Sequence, residues 1–217
     1  FFTVLTSLGA KERLALSFRH MNDDPQNHIR VIPPLLRREV TLHEPYSGDY
    51  IHGYMVNAGF SENVMKWHRQ HPRIPLRFFW DKWEEEPVKR VDNTLSFYQL
   101  DDVEFLRQMA GCKAYASTAG FESVCEAMYL GKPILMVPAH IEQDCNAYDA
   151  EKSGAGIISS DFNLQQLLEF AKDYHPNRDF VYWVRGAEYT LLNLLESDSS
   201  NYQQVLFNEM YLVEEFI

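Results

Sequence analysis

The sequence predicts an α/β domain in which a parallel sheet carries helices on both faces. From Tyr50 onward, short apolar strands alternate with helices of about 9 to 15 residues, which is typical of βαβ units. The segment Pro133–Val137 is apolar throughout, as a strand covered on both faces requires. We therefore expect a Rossmann-like parallel sheet within residues 50–197.

Before residue 50 the pattern is shorter and less regular. Two strands are expected at Leu14–Phe18 and His28–Ile32, and the second is stopped by a pair of prolines. The stretch Thr41–Asp49 holds proline, serine and glycine, and we interpret it as a linker.

The regular part of the chain resolves into strands and helices that mostly alternate. Strands are predicted at Tyr50–Asn57, Leu76–Trp80, Leu95–Tyr98, Lys113–Ser117, Pro133–Val137 and Gly156–Ser159. Helices are predicted at Ser61–His71, Val103–Ala110, Glu122–Leu130, Ile141–Ser153, Leu164–Tyr174 and Phe180–Glu196. Ser61 and Asp101-Asp102 are expected as N-terminal caps, and Gly131 and Gly154 as C-terminal stops.

Composition and charge exclude several classes of function. Of 217 residues, 31 are acidic and 20 are basic, so the net charge is −11, and the excess acid lies after residue 100. This balance argues against broad nucleic-acid binding, which needs a basic face. No apolar run approaches the ~20 residues of a membrane span, and the start lacks the features of a signal peptide. We expect a cytoplasmic protein.

In an open parallel sheet, ligands bind at the carboxyl ends of the strands, where three strand–loop–helix joints attract attention. The first is the run from Asn57 to Ser61. Its Gly59, at a helix start, allows backbone N–H groups to approach a phosphate. A plain capped turn explains the same residues equally well.

The second joint runs from Ser117 through Thr118 and Gly120 into a helix. Its first turn contains Phe121, Glu122 and Ser123, and Glu126 follows one turn later on the same face. The helix start suits a diphosphate, and a carboxylate at the position of Glu126 suits the hydroxyls of a ribose. The alternative is an ordinary turn with solvated glutamates.

The third joint follows the buried strand Pro133–Val137. Glu142 and Gln143 begin a helix there, and Asn146 lies one turn further on. Adjacent carboxylate and amide groups suit bidentate hydrogen bonds to sugar hydroxyls, although an acid-rich first turn also favours the helix dipole. His140 precedes the pair, where it meets a phosphate or hydroxyl or simply faces solvent.

Together these joints resemble the donor domain of GT-B glycosyltransferases. The motifs that carry the resemblance, in order, are Gly120 to Glu126, Gly131-Lys132-Pro133, Glu142 to Ala147, and Gly154-Ala155-Gly156. They look like the family-28 type, which includes the bacterial GlcNAc transferase that makes the second lipid-linked peptidoglycan precursor. They are also similar to the UDP-glycosyltransferases of secondary metabolism.

The resemblance implies a domain arrangement and a set of donor contacts. Residues 1–49 would end a missing N-terminal acceptor domain and its linker, 50–197 would form the nucleotide-sugar-binding C-terminal half of a GT-B fold, and 198–217 would be a tail with helical character. The implied donor-binding residues are Gly59, Gln99, Thr118, Gly120, Phe121, Glu122, Ser123, Glu126, His140, Glu142, Gln143 and Asn146. Within this set, Gly120 to Ser123 would hold the diphosphate, Glu126 the ribose, Glu142 and Gln143 the sugar, and Gln99 would face the base.

The activity implied is inverting transfer of a sugar from a UDP-sugar such as UDP-GlcNAc to an unknown acceptor, with no cofactor and no metal ion. The catalytic base, and any contact with the inner face of a membrane, would belong to the missing N-terminal domain. Two alternatives stay open: a UDP-sugar epimerase of the same fold, and a non-catalytic donor-binding subunit of a split transferase.

Overall fold

The computed structural model describes residues 7–82 and 86–196. These form two compact units: the described residues up to Leu35 with those from Tyr182 onward, and the larger unit Leu36–Val181. The domain limits inferred from the sequence remain predictions, and the expected tail 198–217 lies outside the described residues.

The smaller unit contains a two-stranded parallel sheet, formed by β1 (Arg13–Leu16) and β2 (Ile29–Ile32). A helix resumes after Gly186 and includes residues 187–196. The Trp183 indole Nε1 donates a hydrogen bond of 3.1 Å to the Ser17 carbonyl oxygen within this unit.

The larger unit is a sheet flanked by helices. Its strands are β3 (Ile51–Met55), β4 (Leu76–Trp80), β5 (Val88–Arg90), β6 (Leu95–Gln99), β7 (Ala114–Ser117), β8 (Ile134–Met136) and β9 (Gly156–Ile158). The helices are α1 (Arg38–Thr41), α2 (Ser61–Gln70), α3 (Asp102–Gly111), α4 (Phe121–Tyr129), α5 (Ile141–Lys152), α6 (Leu164–Phe170) and α7 (Arg178–Arg185), the last of which continues into the smaller unit. None of the described helices is long and apolar enough to cross a membrane.

The strands of the larger sheet follow the order β5-β6-β4-β3-β7-β8-β9. All the described neighbours pair in parallel except β5, which runs antiparallel to β6 at the edge. The predicted fold class is confirmed: a mostly parallel sheet between helices. Strand β5 was missed because it is a short, charged edge strand whose pairing depends on the backbone.

Both faces of the sheet are covered. On one face, Phe78 and Leu95 pack in a buried cluster with Trp67 of α2 and Leu167 of α6. On the other face, the ring of Phe105 on α3 contacts strand residues that include His52, Phe79 and Tyr115. Burial on both sides explains why the strand sequences are apolar at successive positions.

Helix ends mostly follow the predicted signals. Asp101 caps α3 by accepting a hydrogen bond from the Glu104 amide at 2.8 Å. Gly131 and Gly154 adopt positive φ angles of 68° and 75° after α4 and α5. The prediction that Ser61 caps α2 was wrong, since a 3-10 turn at Ala58–Phe60 precedes the helix and Phe60 occupies the cap.

Two further predictions needed correction near the end of the described chain. The helix expected at Leu164–Tyr174 ends at Phe170. The helix expected at Phe180–Glu196 is interrupted at Gly186. Glycine disfavours a helix interior because it loses more backbone freedom there than other residues do.

Candidate functional site

The strand order reverses direction between β3 and β7. From β3 the chain builds outward through β4 and β6, and it then returns to β7 and builds the other way through β8 and β9. Ligands of doubly wound sheets bind in the crevice beyond the carboxyl ends of the strands at such a reversal. The loops there, residues 56–60 and 118–120, both belong to joints that the sequence singled out.

Thr118 fastens these two loops to each other. Its amide donates to the Tyr54 carbonyl oxygen at 3.3 Å, and its hydroxyl oxygen accepts from the Val56 amide at 3.3 Å. Thr118 is buried. Thr118 was predicted to bind the donor, and that role stays a prediction; in the structure its amide and hydroxyl are engaged by the protein.

The backbone turns sharply at the start of α4. Ala119 has a positive φ of 60°, an uncommon conformation that sharply turns the chain into the helix. Gly120 occupies the N-cap position and, having no side chain, does not itself cap the helix. The Ser123 hydroxyl instead donates to the Gly120 carbonyl oxygen at 3.2 Å. The helix start can therefore present N–H donors to a phosphate.

A cleft of about 300 Å³ lies beside this helix start. Apolar walls are supplied by Tyr54, Leu100 and Phe105. The polar lining consists of Arg37, Asp102, Glu122, Ser123 and Glu126. Glu122, Ser123 and Glu126 share the cleft, as their spacing along one helix face predicts.

Glu126 is paired with Arg37, a residue that the sequence did not single out. The Arg37 Nε–Glu126 Oε1 distance is 2.6 Å and the Arg37 Nη2–Glu126 Oε2 distance is 2.8 Å. Arg37 Nη1 also lies 3.1 Å from the Asp102 carboxylate. The hydrogen bond to Glu126 raises the pKa of Arg37 above its usual value. The two partners are 89 residues apart, so no local spacing reveals the pair.

The α5 joint contributes exposed and buried groups. Gln143 is buried, and its Oε1 accepts from the Ala139 amide at 2.9 Å. Asn146 Nδ2 donates to the Ala119 carbonyl oxygen at 3.4 Å, which links α5 to the loop before α4. His140 and Glu142 are exposed and accessible.

The remaining candidates lie at the same edge of the sheet. The Gly59 amide donates to Asn57 Oδ1 at 2.8 Å, inside the 3-10 turn. Gln99 ends β6, and its amide donates to the Pro87 carbonyl oxygen at 2.9 Å. Phe121 is the first residue of α4 and is half-buried. Of the twelve predicted donor-binding residues, only Glu122, Ser123 and Glu126 are among the described residues that line the cleft.

The charge of the cleft is mainly negative. Within the described part of the chain, its lining holds one cation, Arg37, and three carboxylates, those of Asp102, Glu122 and Glu126. Among residues 7–82 and 86–196, no group of three or more His, Cys, Asp or Glu is placed to hold a metal ion. Any anionic ligand must rely on Arg37 and on the N–H groups of α4.

A doubly wound sheet with a polar cleft at its switch point is an α/β architecture that binds ligands at this position. Residues 9–174 match the sequence model of the family described as Glycosyl transferase family 1. The chain belongs to this family. The predicted resemblance to glycosyltransferases is thereby confirmed, while the finer family-28 type stays a prediction.

Solved structures share the fold. The glycotransferase of kitacinnamycin superposes with a TM-score of 0.60 at 14% identity, over 86% of this chain and 54% of that one. CalG4, the calicheamicin glycosyltransferase, gives a TM-score of 0.54 at 13% identity, over 78% of this chain and 48% of that one. The chain therefore spans about half the length of these GT-B glycosyltransferases.

A curated relative is the putative UDP-glucuronosyltransferase ugt-48 of Caenorhabditis elegans. It is 26% identical over 105 residues, which are 48% of this chain and 20% of that protein. The chain is thus similar to a small part of this relative.

Proposed function

We propose that this chain is the donor-binding portion of an inverting glycosyltransferase that uses a UDP-sugar. The observation that carries the proposal is the switch-point cleft, where the start of α4, with Gly120 at its N-cap, and the buried carboxylate of Glu126 lie side by side. Membership of a glycosyl transferase family supports the reaction class. The relative described as a UDP-glucuronosyltransferase supports uridine diphosphate as the carrier.

The start of α4 holds the diphosphate in this proposal. The N–H groups after Gly120 donate to phosphate oxygens, and the positive end of the helix dipole offsets their charge. As the bond to the sugar breaks, negative charge grows on the diphosphate. The same fixed donors stabilise it in the transition state.

The nucleoside occupies the cleft. Apolar contacts from Tyr54, Leu100 and Phe105 suit the faces of a base, and Glu126 accepts hydrogen bonds from the ribose hydroxyls. The accessible side chains of His140 and Glu142 meet the sugar. Gln143 holds the loop between β8 and α5 in place through its hydrogen bond to Ala139.

The reaction is a single displacement. An acceptor hydroxyl transfers its proton to a general base while its oxygen attacks the anomeric carbon. The bond between that carbon and the diphosphate oxygen breaks, and UDP leaves with the electron pair. Attack opposite the leaving group inverts the configuration at the anomeric carbon.

Calorimetric titration of the chain with UDP and GDP tests the donor assignment. We expect UDP to bind and GDP to bind more weakly, and Glu126→Ala to weaken UDP by at least about tenfold through loss of charged hydrogen bonds. Glu169→Ala is the matched control, since Glu169 is an exposed glutamate on α6. Equal affinity of wild type and Glu126→Ala for UDP would overturn the assignment.

The sugar is tested separately by comparing UDP-GlcNAc, UDP-glucuronate and UDP. The family-28 likeness favours the first, and the name of the curated relative favours the second. If Glu142 meets the sugar, Glu142→Ala lowers the affinity for the preferred UDP-sugar and leaves UDP unchanged. An equal loss for UDP and the UDP-sugar would place Glu142 outside the sugar subsite.

A further inference from the structure

Arg37 covers the carboxylate that the proposed function assigns to the ribose. Its guanidinium bonds both oxygens of Glu126, at 2.6 and 2.8 Å. The Glu126 side chain is only 3% exposed, whereas that of Arg37 is 36% exposed. With the guanidinium in this position, little of the carboxylate is accessible to a ligand.

We propose that Arg37 takes the place of the ribose diol in the ligand-free site and that a bound nucleoside displaces it from Glu126. This inference rests on the proposed function. A guanidinium fork and a vicinal diol both present two donors to the two oxygens of one carboxylate. They therefore compete for the same atoms.

The cleft offers the displaced guanidinium other partners. Asp102 already accepts from Arg37 Nη1 at 3.1 Å, and its side chain is 82% exposed, so this contact can persist as Arg37 moves. Glu122 also attracts Arg37 electrostatically. The guanidinium therefore stays close to the carboxylates of Asp102 and Glu122 while Glu126 binds the ribose.

Competition from Arg37 makes the site bind a nucleoside more weakly than its contacts alone would give. The apparent affinity equals the intrinsic affinity multiplied by the fraction of molecules in which Glu126 is free. A variant without the guanidinium should bind a ribonucleoside more tightly. A nucleoside without the diol should gain nothing, because it never uses Glu126.

Titration with uridine and 2′,3′-dideoxyuridine tests the proposal on wild type, Arg37→Gln, Arg37→Lys and the control Arg38→Gln. Arg38 is an exposed arginine on α1. We expect Arg37→Gln to bind uridine about fivefold more tightly, the value of a half-exposed ion pair, and Arg37→Lys to show a smaller gain. Dideoxyuridine should bind all four proteins alike.

Loss or lack of gain in uridine affinity for a folded Arg37→Gln would overturn the proposal, because Arg37 would then orient Glu126 rather than compete for it. Thermal unfolding checks the fold of each variant. Wild-type chain gives an independent readout, since the NMR signal of the Arg37 Nε–H should shift when uridine binds. An unmoved signal at saturation contradicts displacement, whereas failure of both uridine and UDP to bind wild type overturns the proposed function itself.

Discussion

Each of the two edges of the central sheet holds a buried charged side chain, and the two side chains have different kinds of partner. At the carboxyl edge, Glu126 faces a cleft and pairs with a partly exposed arginine. At the amino edge, Lys132 is buried, and its Nζ donates to the carbonyl oxygens of Tyr46 at 2.7 Å and Cys112 at 3.0 Å. Both residues belong to motifs that carry the family resemblance. A ligand can reach Glu126 if it displaces the arginine, whereas Lys132 bonds to the backbone and stabilises the fold.

Helix polarity accounts for the difference. Cys112 is the C-cap of α3, so the Lys132 ammonium lies at the negative end of a helix dipole and satisfies a terminal carbonyl group. The cleft, in contrast, adjoins the positive start of α4. A cavity of about 500 Å³ opens at the amino edge and exceeds the cleft in volume. Size therefore does not identify the anion site, whereas the direction of the helices does.

Replacement of Lys132 should produce the largest loss of stability. Lys132→Met keeps the aliphatic stem and leaves two buried carbonyl groups without their charged donor, which costs about 3 kcal/mol in free energy of unfolding. Urea denaturation at neutral pH measures this loss. A loss of UDP affinity without a loss of stability would place Lys132 in the ligand site instead.

His52 is a buried side chain that burial keeps neutral, so it makes the stability of the fold depend on pH. Burial lowers the pKa of His52 to about 3 in the folded chain, from a usual value of 6.5. Between these values the unfolded chain binds the proton and the folded chain does not. Stability is therefore fully present above pH 6.5 and falls as the pH drops toward 3, by about 2 kcal/mol at pH 5.

Urea denaturation of wild type and His52→Leu at pH 8 and pH 5 measures this contribution. Between pH 8 and pH 5, wild type should lose more free energy of unfolding than His52→Leu does. If the difference is the same at both pH values, His52 is not held neutral by burial.

Gly120 at the start of α4 should matter for binding alone. Its φ is −63°, and an added Cβ would meet only the Ser123 hydroxyl oxygen, at 3.6 Å. Gly120→Ala should keep stability within about 0.5 kcal/mol and weaken UDP about tenfold, because the methyl group obstructs the approach of phosphate. If calorimetry shows an unchanged affinity for UDP, the assignment of the diphosphate to this helix start is wrong.

Gly131 at the other end of α4 should show the reverse. Its φ is +68°, and an added Cβ would lie 3.2 Å from Pro176 Cγ. Gly131→Ala should lower the free energy of unfolding by about 1 kcal/mol and leave UDP binding unchanged. A melting temperature equal to that of wild type would contradict the conformational requirement at this position.

Hydrophobic pattern and turn residues were sufficient to predict the fold. Strand β4 has the bounds that were predicted for it, and Asp101 marks the start of α3 as its side chain predicts. Strand β5 was missed because two of the three residues in Val88–Arg90 are charged and the strand pairs through its backbone at the edge. Periodicity reports burial, so an exposed edge strand leaves little trace in the sequence.

The candidate site was predicted in part. Glu122, Ser123 and Glu126 share a cleft because their spacing follows the helix turn. Arg37 could not be found in this way, because long-range pairing leaves no local signal. The position of a residue in a motif also did not reveal whether its side chain bonds to the protein, as Gln143 does when its Oε1 accepts from the Ala139 amide.

The most direct test compares Glu126→Gln with Lys132→Met in the same chain, measuring both the UDP dissociation constant and the free energy of unfolding. Glu126→Gln should lose at least about tenfold in affinity and less than about 1 kcal/mol in stability. Lys132→Met should lose stability and keep its affinity while folded. If both variants lose affinity and stability in parallel, the division between a ligand edge and a structural edge is wrong.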